Sequence, residues 1–307
     1  MVASRESSLQ SHSTKGKSVN IFQKWLSLSK LSLSSLVVLT TLMGMLLAPG
    51  SFSWLDAFFT ILGTTLIVAS ANTFNCIIER ESDKLMSRTA KRPLPMGQMS
   101  VQSALAFGIV TGVLAIYLLF HYSNGLTASL GLIGFISYVA LYTPLKRYSM
   151  AALFVGAIPG AIPPMMGWAF VTEDLGLVAW ILFWILFFWQ LPHFIAISIF
   201  RADDYARAGL KTLPQALGIK KARYHMLLYA AVLSLVSISP IAFGAAGGLY
   251  TLCALILGFV FISLCVAALQ DFEILRRTRL VFFATLVYLP VLLGLWLCDS
   301  FLRSATG

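Results

Sequence analysis

Asn75, Glu79 and Asp83 recur every four residues inside the stretch NTFNCIIERESDKLMSRTAKRPLPMG, residues 72–97. On a helix that spacing puts one amide and two carboxylates on one face, drifting by about 40° per step. Arg80, Lys84, Arg88, Lys91 and Arg92 are interleaved with them or follow closely. A row of oxygen ligands beside a cluster of cations suits Mg²⁺ holding a phosphorylated substrate. Carboxylate and phosphate repel each other; a cation between them reverses the sign, and Arg and Lys take up the remaining phosphate charge. The plainer explanation is a ladder of local ion pairs, Glu79 with Lys84 and Asp83 with Arg80, at the end of a membrane helix. The strict register and a second acidic cluster further on weigh against it.

That second centre is RADDYARAGLKTLP, with Arg201, Asp203, Asp204, Tyr205, Arg207 and Lys211. Asp203 and Asp204 are adjacent and diverge by about 100° on a helix, so one can face a site while the other faces solvent. Both charged segments run on to Leu-Pro and then Gly, as Leu94-Pro95 with Gly97 and Leu213-Pro214 with Gly218. This hints at a parallel internal repeat. Tyr142 and Lys146 are also four apart and able to share a phosphate; the alternative is a helix end with a snorkelling Lys. His193 follows Pro192 in an aromatic-rich apolar run, where a lone His is ordinarily a hydrogen-bonded structural group.

The elements that carry these residues are membrane helices. Of the 307 residues 58% are hydrophobic and only 11% charged, against about 25% charged in a soluble domain. Nine apolar stretches are long enough to cross a bilayer: residues 31–48, 54–78, 101–120, 126–142, 150–171, 177–200, 226–243, 249–269 and 280–297. With the N-terminus cytoplasmic, every Lys and Arg except Arg303 falls on the inner side, as the positive-inside rule requires. The net charge of +10 therefore reports topology, and a nucleic-acid partner is excluded. The predicted protein is an all-α polytopic membrane protein with its C-terminus outside and its lipid bilayer the plasma (inner) membrane. A Ser-rich polar tail, residues 1–24, precedes a single domain, residues 25–303. Cys76, Cys253, Cys265 and Cys298 have no C-x-x-C spacing and read as buried small hydrophobes. The breakers Gly156, Pro159, Gly160, Pro163, Pro164 and Gly167 predict a kinked fifth helix beside a cavity. The second helix, continued past the hydrocarbon, carries its acidic face to the inner interface, where charge is far cheaper than at the bilayer centre.

At these residues the sequence resembles the UbiA superfamily of intramembrane prenyltransferases. The family's N-x-x-x-D-x-x-x-D motif reads Asn75-x-x-x-Glu79-x-x-x-Asp83, and its Y-x-x-x-K reads Tyr142-x-x-x-Lys146. Within the family it is most similar to the heme-prenylating branch, on NCIIERESDKLMSRTAKRPLP, YTPLKR and WQLPHFIAISIFRADDYARAGLKTLP. The resemblance covers nearly the whole chain and implies nine helices around a central cavity. It implies transfer of farnesyl from farnesyl diphosphate to a vinyl group of protoheme IX, giving heme O for heme A synthase or a terminal oxidase. It further implies Mg²⁺ on Asn75, Glu79, Asp83 and Asp203 or Asp204. Lys84, Arg88, Arg92, Tyr142, Lys146 and Arg201 would hold the diphosphate, and His193 would meet the heme. Glu79 stands where the family has Asp, one methylene shorter. The second D-x-x-x-D motif is not matched: Arg201 and Tyr205 hold its spacing. Lys30-Leu31-Ser32 stands where relatives have Lys-Pro-Arg. Two other functions compete: prenylation of a small aromatic quinone precursor, and a non-catalytic heme or lipid transporter. The features around His193 argue against the first, and helix interiors nearly free of ionisable residues argue against an ion-coupled pump.

Overall fold

The computed structural model describes Trp25, residues 27–29 and residues 31–306; the tail assigned to residues 1–24 lies outside the described residues. Everything regular among them is helical. The helices are α1 (Leu31–Leu47), α2 (Trp54–Asp83), α3 (Val101–Tyr122), α4 (Gly125–Leu145), α5 (Ala152–Thr172) and α6 (Leu177–Phe200). They continue with the short α7 (Ala202–Arg207) and α8 (Leu213–Leu217), then α9 (Ile219–Ile238), α10 (Gly248–Ala267) and α11 (Ile274–Thr306). Eight of them are long and apolar enough to cross a membrane. The first predicted span, α1, is shorter at 17 residues. The outward surface carries large apolar side chains such as Phe120, Phe259 and Val287, the composition of a lipid-facing belt.

Two helices outrun their apolar cores. α2 begins at an N-cap in which Ser53 accepts from the Asp56 amide, and it runs for 30 residues. At 1.5 Å per residue this is about 45 Å, against roughly 30 Å of hydrocarbon. α11 runs for 33 residues, extending beyond residues 280–297 at both ends because its flanking polar residues are adequate helix formers that hydropathy does not register. α5 is continuous from Ala152 to Thr172 despite Pro159, Pro163 and Pro164. α4 changes register, with a π-helical segment over Ser137–Tyr142. Pro144 follows it, and in a regular helix its ring would press on the Ala140 carbonyl. The wider turn spares that contact, and the Thr143 hydroxyl donates to the Tyr138 carbonyl (2.8 Å).

Close packing depends on missing side chains. A Cβ on Gly167 would lie 1.9 Å from the Thr41 carbonyl oxygen, and one on Gly44 would lie 2.1 Å from that of Pro164. α1 and α5 thus meet backbone to backbone, the usual way membrane helices associate when no hydrophobic drive acts between them. Ser70 donates to the Gly108 carbonyl at 2.6 Å, tying α2 to α3. Cys76 and Cys265 are buried and Cys253 half-buried, but Cys298 is exposed. The expectation of four buried thiols is corrected at Cys298 because an apolar residue here can face lipid instead of protein.

The inner loops converge. The Ser87 amide and hydroxyl both donate to Asp204 (3.3 and 2.9 Å), and Arg207 Nε donates to the Leu85 carbonyl (3.4 Å). The Lys211 amide donates to the Lys146 carbonyl (2.8 Å). The segments after α2, α4 and α6, placed on one side by their charge, therefore do share a side. Gly97 and Gly218, which close the two Leu-Pro segments, both take positive φ (67° and 83°), a conformation that favours glycine.

Candidate active site

The long α2 carries Asn75, Glu79 and Asp83 on a face that the fold buries: Glu79 is 4% and Asp83 1% exposed. Asn75 Nδ2 donates to Thr143 Oγ1 on α4 (3.1 Å). Glu79 pairs with Lys146, just past the end of α4, and Asp83 with Arg92 at 2.9 Å. The loop after α2 folds back over the helix end, with the Thr89 hydroxyl donating to the Asp83 carbonyl (2.8 Å). This brings Arg88, Thr89 and Arg92 to the same place as the acids. The local ladder is not what forms: Lys84 and Arg80 both pair with Glu81 instead, on the exposed face.

These groups line one end of a cavity of about 1010 Å³. Asn75, Glu79, Asp83, Arg88, Arg92, Tyr142 and Lys146 all contribute, and so does His193. Two residues not assigned a role from the sequence join them: Lys211 and Tyr205. Lys211 is seated there by its backbone bond to the Lys146 carbonyl, a contact between segments that no local pattern reveals. The π segment of α4 sets Tyr138 beside Tyr142, ring centroids 5.3 Å apart. The rest of the wall is mostly apolar, from residues such as Ile67, Phe135, Met166, Trp189, Leu286 and Pro290, with Asn72, Gln190 and Ser198 among its polar members.

Four sequence-assigned residues lie outside this lining. Lys84 points outward to Glu81. Asp203 is exposed. Asp204 is buried but spent on Ser87, with Arg207 and with Arg201 at 3.5 Å. Arg201 is engaged with Asp204 in turn. Of the acidic pair after α6, Asp204 fastens one inner loop to the other.

The Ser87 hydroxyl, followed by the Ser87 amide, holds the Asp204 carboxyl below the ordinary carboxylate range. A carboxylate with a lowered folded pKa stabilises above its unfolded value of about 3.9 and loses that effect only as pH falls through the folded value. The docking of the two loops should therefore be constant from about pH 5 to 8. Hydrogen exchange of residues 84–97 and 201–213, corrected for intrinsic rate, should be flat across that range. Asp204→Asn should speed exchange in both loops together; a change in one alone would contradict the docking.

Among the described residues no three His, Cys, Asp or Glu side chains converge as a metal cage. What the site offers is two carboxylates, one amide and an orphan: the buried Asp83 Oδ1 has no hydrogen-bond partner. A buried carboxylate oxygen left unsatisfied is costly. It fits a hard cation that takes one or two carboxylates from protein and its other ligands from phosphate and water. Mg²⁺ fits Glu79, Asp83 and Asn75 on those terms.

A helical membrane protein with buried oxygen ligands and cations at the polar end of an apolar chamber has a recognisable architecture. A UbiA homolog from Aeropyrum pernix K1 superposes with a TM-score of 0.71 at 20% identity, over 87% of this chain and 98% of that one. A UbiA homolog from Archaeoglobus fulgidus bound to DMAPP and Mg²⁺ superposes with a TM-score of 0.69 at 15% identity, over 90% and 98%. Identities so low establish the fold. The sequence supplies the rest: the UbiA prenyltransferase family profile matches residues 37–287, and the chain belongs to that family. Among its relatives, protoheme IX farnesyltransferase of Myxococcus xanthus (strain DK1622) is 43% identical over 266 residues, 86% of this chain and 90% of the relative. The enzyme of the same name from Thiobacillus denitrificans is 38% identical over 283 residues, 91% and 94% of the two chains.

Proposed function

We propose that this prenyltransferase moves a farnesyl group from farnesyl diphosphate to a vinyl group of protoheme IX, producing heme O. The observation that carries the proposal is the pairing of buried Glu79 and Asp83 with Lys146 and Arg92 at the polar end of a large apolar chamber. The names of the similar relatives supply the acceptor, and the Archaeoglobus homolog bound to DMAPP and Mg²⁺ supports a prenyl diphosphate at this end.

Mg²⁺ held by Asn75, Glu79 and Asp83 would neutralise diphosphate charge. Lys146, Arg92, Arg88 and Lys211 bind the remaining phosphate oxygens, and Tyr142, whose ring lies 5.4 Å from the Lys146 ammonium, lines the same cavity. The C1–O bond of farnesyl diphosphate breaks, and its electron pair leaves with diphosphate. The π electrons of the heme vinyl group form the new C–C bond to the allylic carbon. Water adds to the resulting benzylic-type cation and gives up a proton, leaving a hydroxyl. The apolar wall excludes other water from the allylic cation. A chamber of about 1010 Å³ lies at the upper end of the range for single small-molecule sites, which suits two large apolar ligands.

Orientation and location follow the charges: the polar end faces the cytoplasm, the N-terminus is inside and the C-terminus outside, in a bacterial plasma membrane. Residues 25–303 form the catalytic domain, and a downstream heme A synthase or terminal oxidase receives the product.

The test is a competition. Purified protein with Mg²⁺ and labelled farnesyl diphosphate is offered heme and a small aromatic acid together. Label should enter heme; label in the aromatic acid alone would replace the acceptor. Lys211→Met should weaken inorganic diphosphate binding by about 10-fold or more, the worth of one hydrogen bond to a charged group, measured by calorimetry with Mg²⁺ present. Unchanged affinity would remove Lys211 from the site.

A further inference from the structure

We infer that Thr285 is a positioning residue for heme: it holds His193 as the Nδ1–H tautomer, so that Nε2 offers its lone pair to the iron from the cavity wall. The inference rests on heme being the acceptor.

Thr285 sits on α11, fully buried, and does not line the cavity. Three bonds converge on it. Its hydroxyl donates to the Phe282 carbonyl at 2.5 Å. His193 Nδ1 lies 2.7 Å from the same hydroxyl oxygen. The Trp189 indole N–H donates to the Thr285 carbonyl at 2.7 Å. A threonine hydroxyl has one proton, and a carbonyl oxygen only accepts. With that proton on the Phe282 carbonyl, Thr285 Oγ1 must accept from His193, and the imidazole proton is fixed on Nδ1. Nε2 is then the bare nitrogen. His193 lines the cavity, and among the described residues Nε2 makes no hydrogen bond.

The ring plane is fixed as well. His193 stacks on Trp189 (centroids 5.2 Å apart, 21° between planes) and packs against Phe282 (4.8 Å, 32°). Trp189 and His193 are one turn apart on α6, and one residue of α11 anchors both. Metal-binding histidines depend on this kind of support: the bond made by the remote nitrogen sets tautomer, orientation and basicity at the ligating one. A cavity wall built only to pack porphyrin carbon would not need a buried hydroxyl aimed at the back of an imidazole.

The experiment uses the full chain in lipid nanodiscs, titrated separately with ferric protoheme and with iron-free protoporphyrin IX. Wild type should bind heme with an absorption spectrum of axial nitrogen ligation, and His193→Gln should abolish that spectrum. Thr285→Val should weaken heme binding by about 10- to 100-fold, the usual effect of losing such a support, and leave protoporphyrin binding unchanged. Thr285→Ser, which restores the hydroxyl, should restore both affinity and spectrum. Equal losses for heme and protoporphyrin would mean general damage to the wall and overturn the inference. So would an unaltered spectrum in His193→Gln, or no heme binding by wild type. Should Thr285→Val not fold, the His193→Gln spectrum and the Thr285→Ser affinity still decide. If heme binds through His193 while farnesyl goes to another acceptor, the acceptor assignment fails and the tautomer assignment stands.

Discussion

Glu79→Gln is expected to lower farnesyl turnover by about 10²–10³-fold, the scale on which a preorganised charge-stabilising group acts. Asp83→Asn should do the same. Both acids are buried, and each faces a cation: Glu79 meets Lys146, and Asp83 meets Arg92 at 2.9 Å. Taking the charge from one partner leaves the other without a counter-charge, which alone costs about 3–5 kcal/mol in a fully desolvated pair and less where, as at both Arg92 and Lys146, the cation keeps some exposure. Activity and stability must therefore be separated. In the double variant Glu79→Gln/Lys146→Met both charges are gone, so much of the lost thermal stability should return. Turnover should not return if, as proposed, Lys146 serves the diphosphate and Glu79 the divalent cation. Recovery of turnover along with stability would mean that the pair is structural.

Gly167→Leu is expected to prevent α1 from seating on α5. Even the first carbon of a side chain would lie 1.9 Å from the Thr41 carbonyl oxygen and 2.9 Å from the Met45 amide nitrogen. Backbone atoms cannot rotate away as a side-chain tip can, so the helices must separate. Gly167→Ala should lower stability by roughly 1–3 kcal/mol or more, the range for forcing extra carbons into a packed interior. Gly44→Ala should behave likewise, its Cβ meeting the Pro164 carbonyl oxygen at 2.1 Å. The two together should cost less than their sum, because a gap opened by one accommodates the other. Gly294→Ala is the control: nothing lies within 4 Å of its Cβ position, and the melting temperature should not fall. Since Ser35, Leu36 and Thr40 of α1 line the cavity, the damaging variants should also lose activity.

Much of this was legible along the chain. Hydropathy placed α6 at residues 177–200 with both ends correct, because a long apolar run in a bilayer has one structural solution. The four-residue spacing put Asn75, Glu79 and Asp83 on one buried face, since helical periodicity is local. Ion-pair partners were not legible. Local spacing offered Lys84 as the partner of Glu79, but the pair forms with Lys146, brought in by α4. The resemblance offered Asp203 or Asp204 as a metal ligand, and only the fold of the loops turns Asp204 to Ser87. Lys211 and Thr285 were invisible as site residues for the same reason: each is placed by a bond to a distant segment. The π turn of α4 was signalled only by Pro144, which marks a disturbed helix without saying how it is resolved.

The most direct measurement is the mass of the pigment formed when purified protein is incubated with heme, farnesyl diphosphate and Mg²⁺. Wild type should yield a heme heavier by one farnesyl group and one hydroxyl, and Glu79→Gln almost none. Recovery of only unmodified heme from folded, substrate-saturated wild-type protein would contradict the assignment.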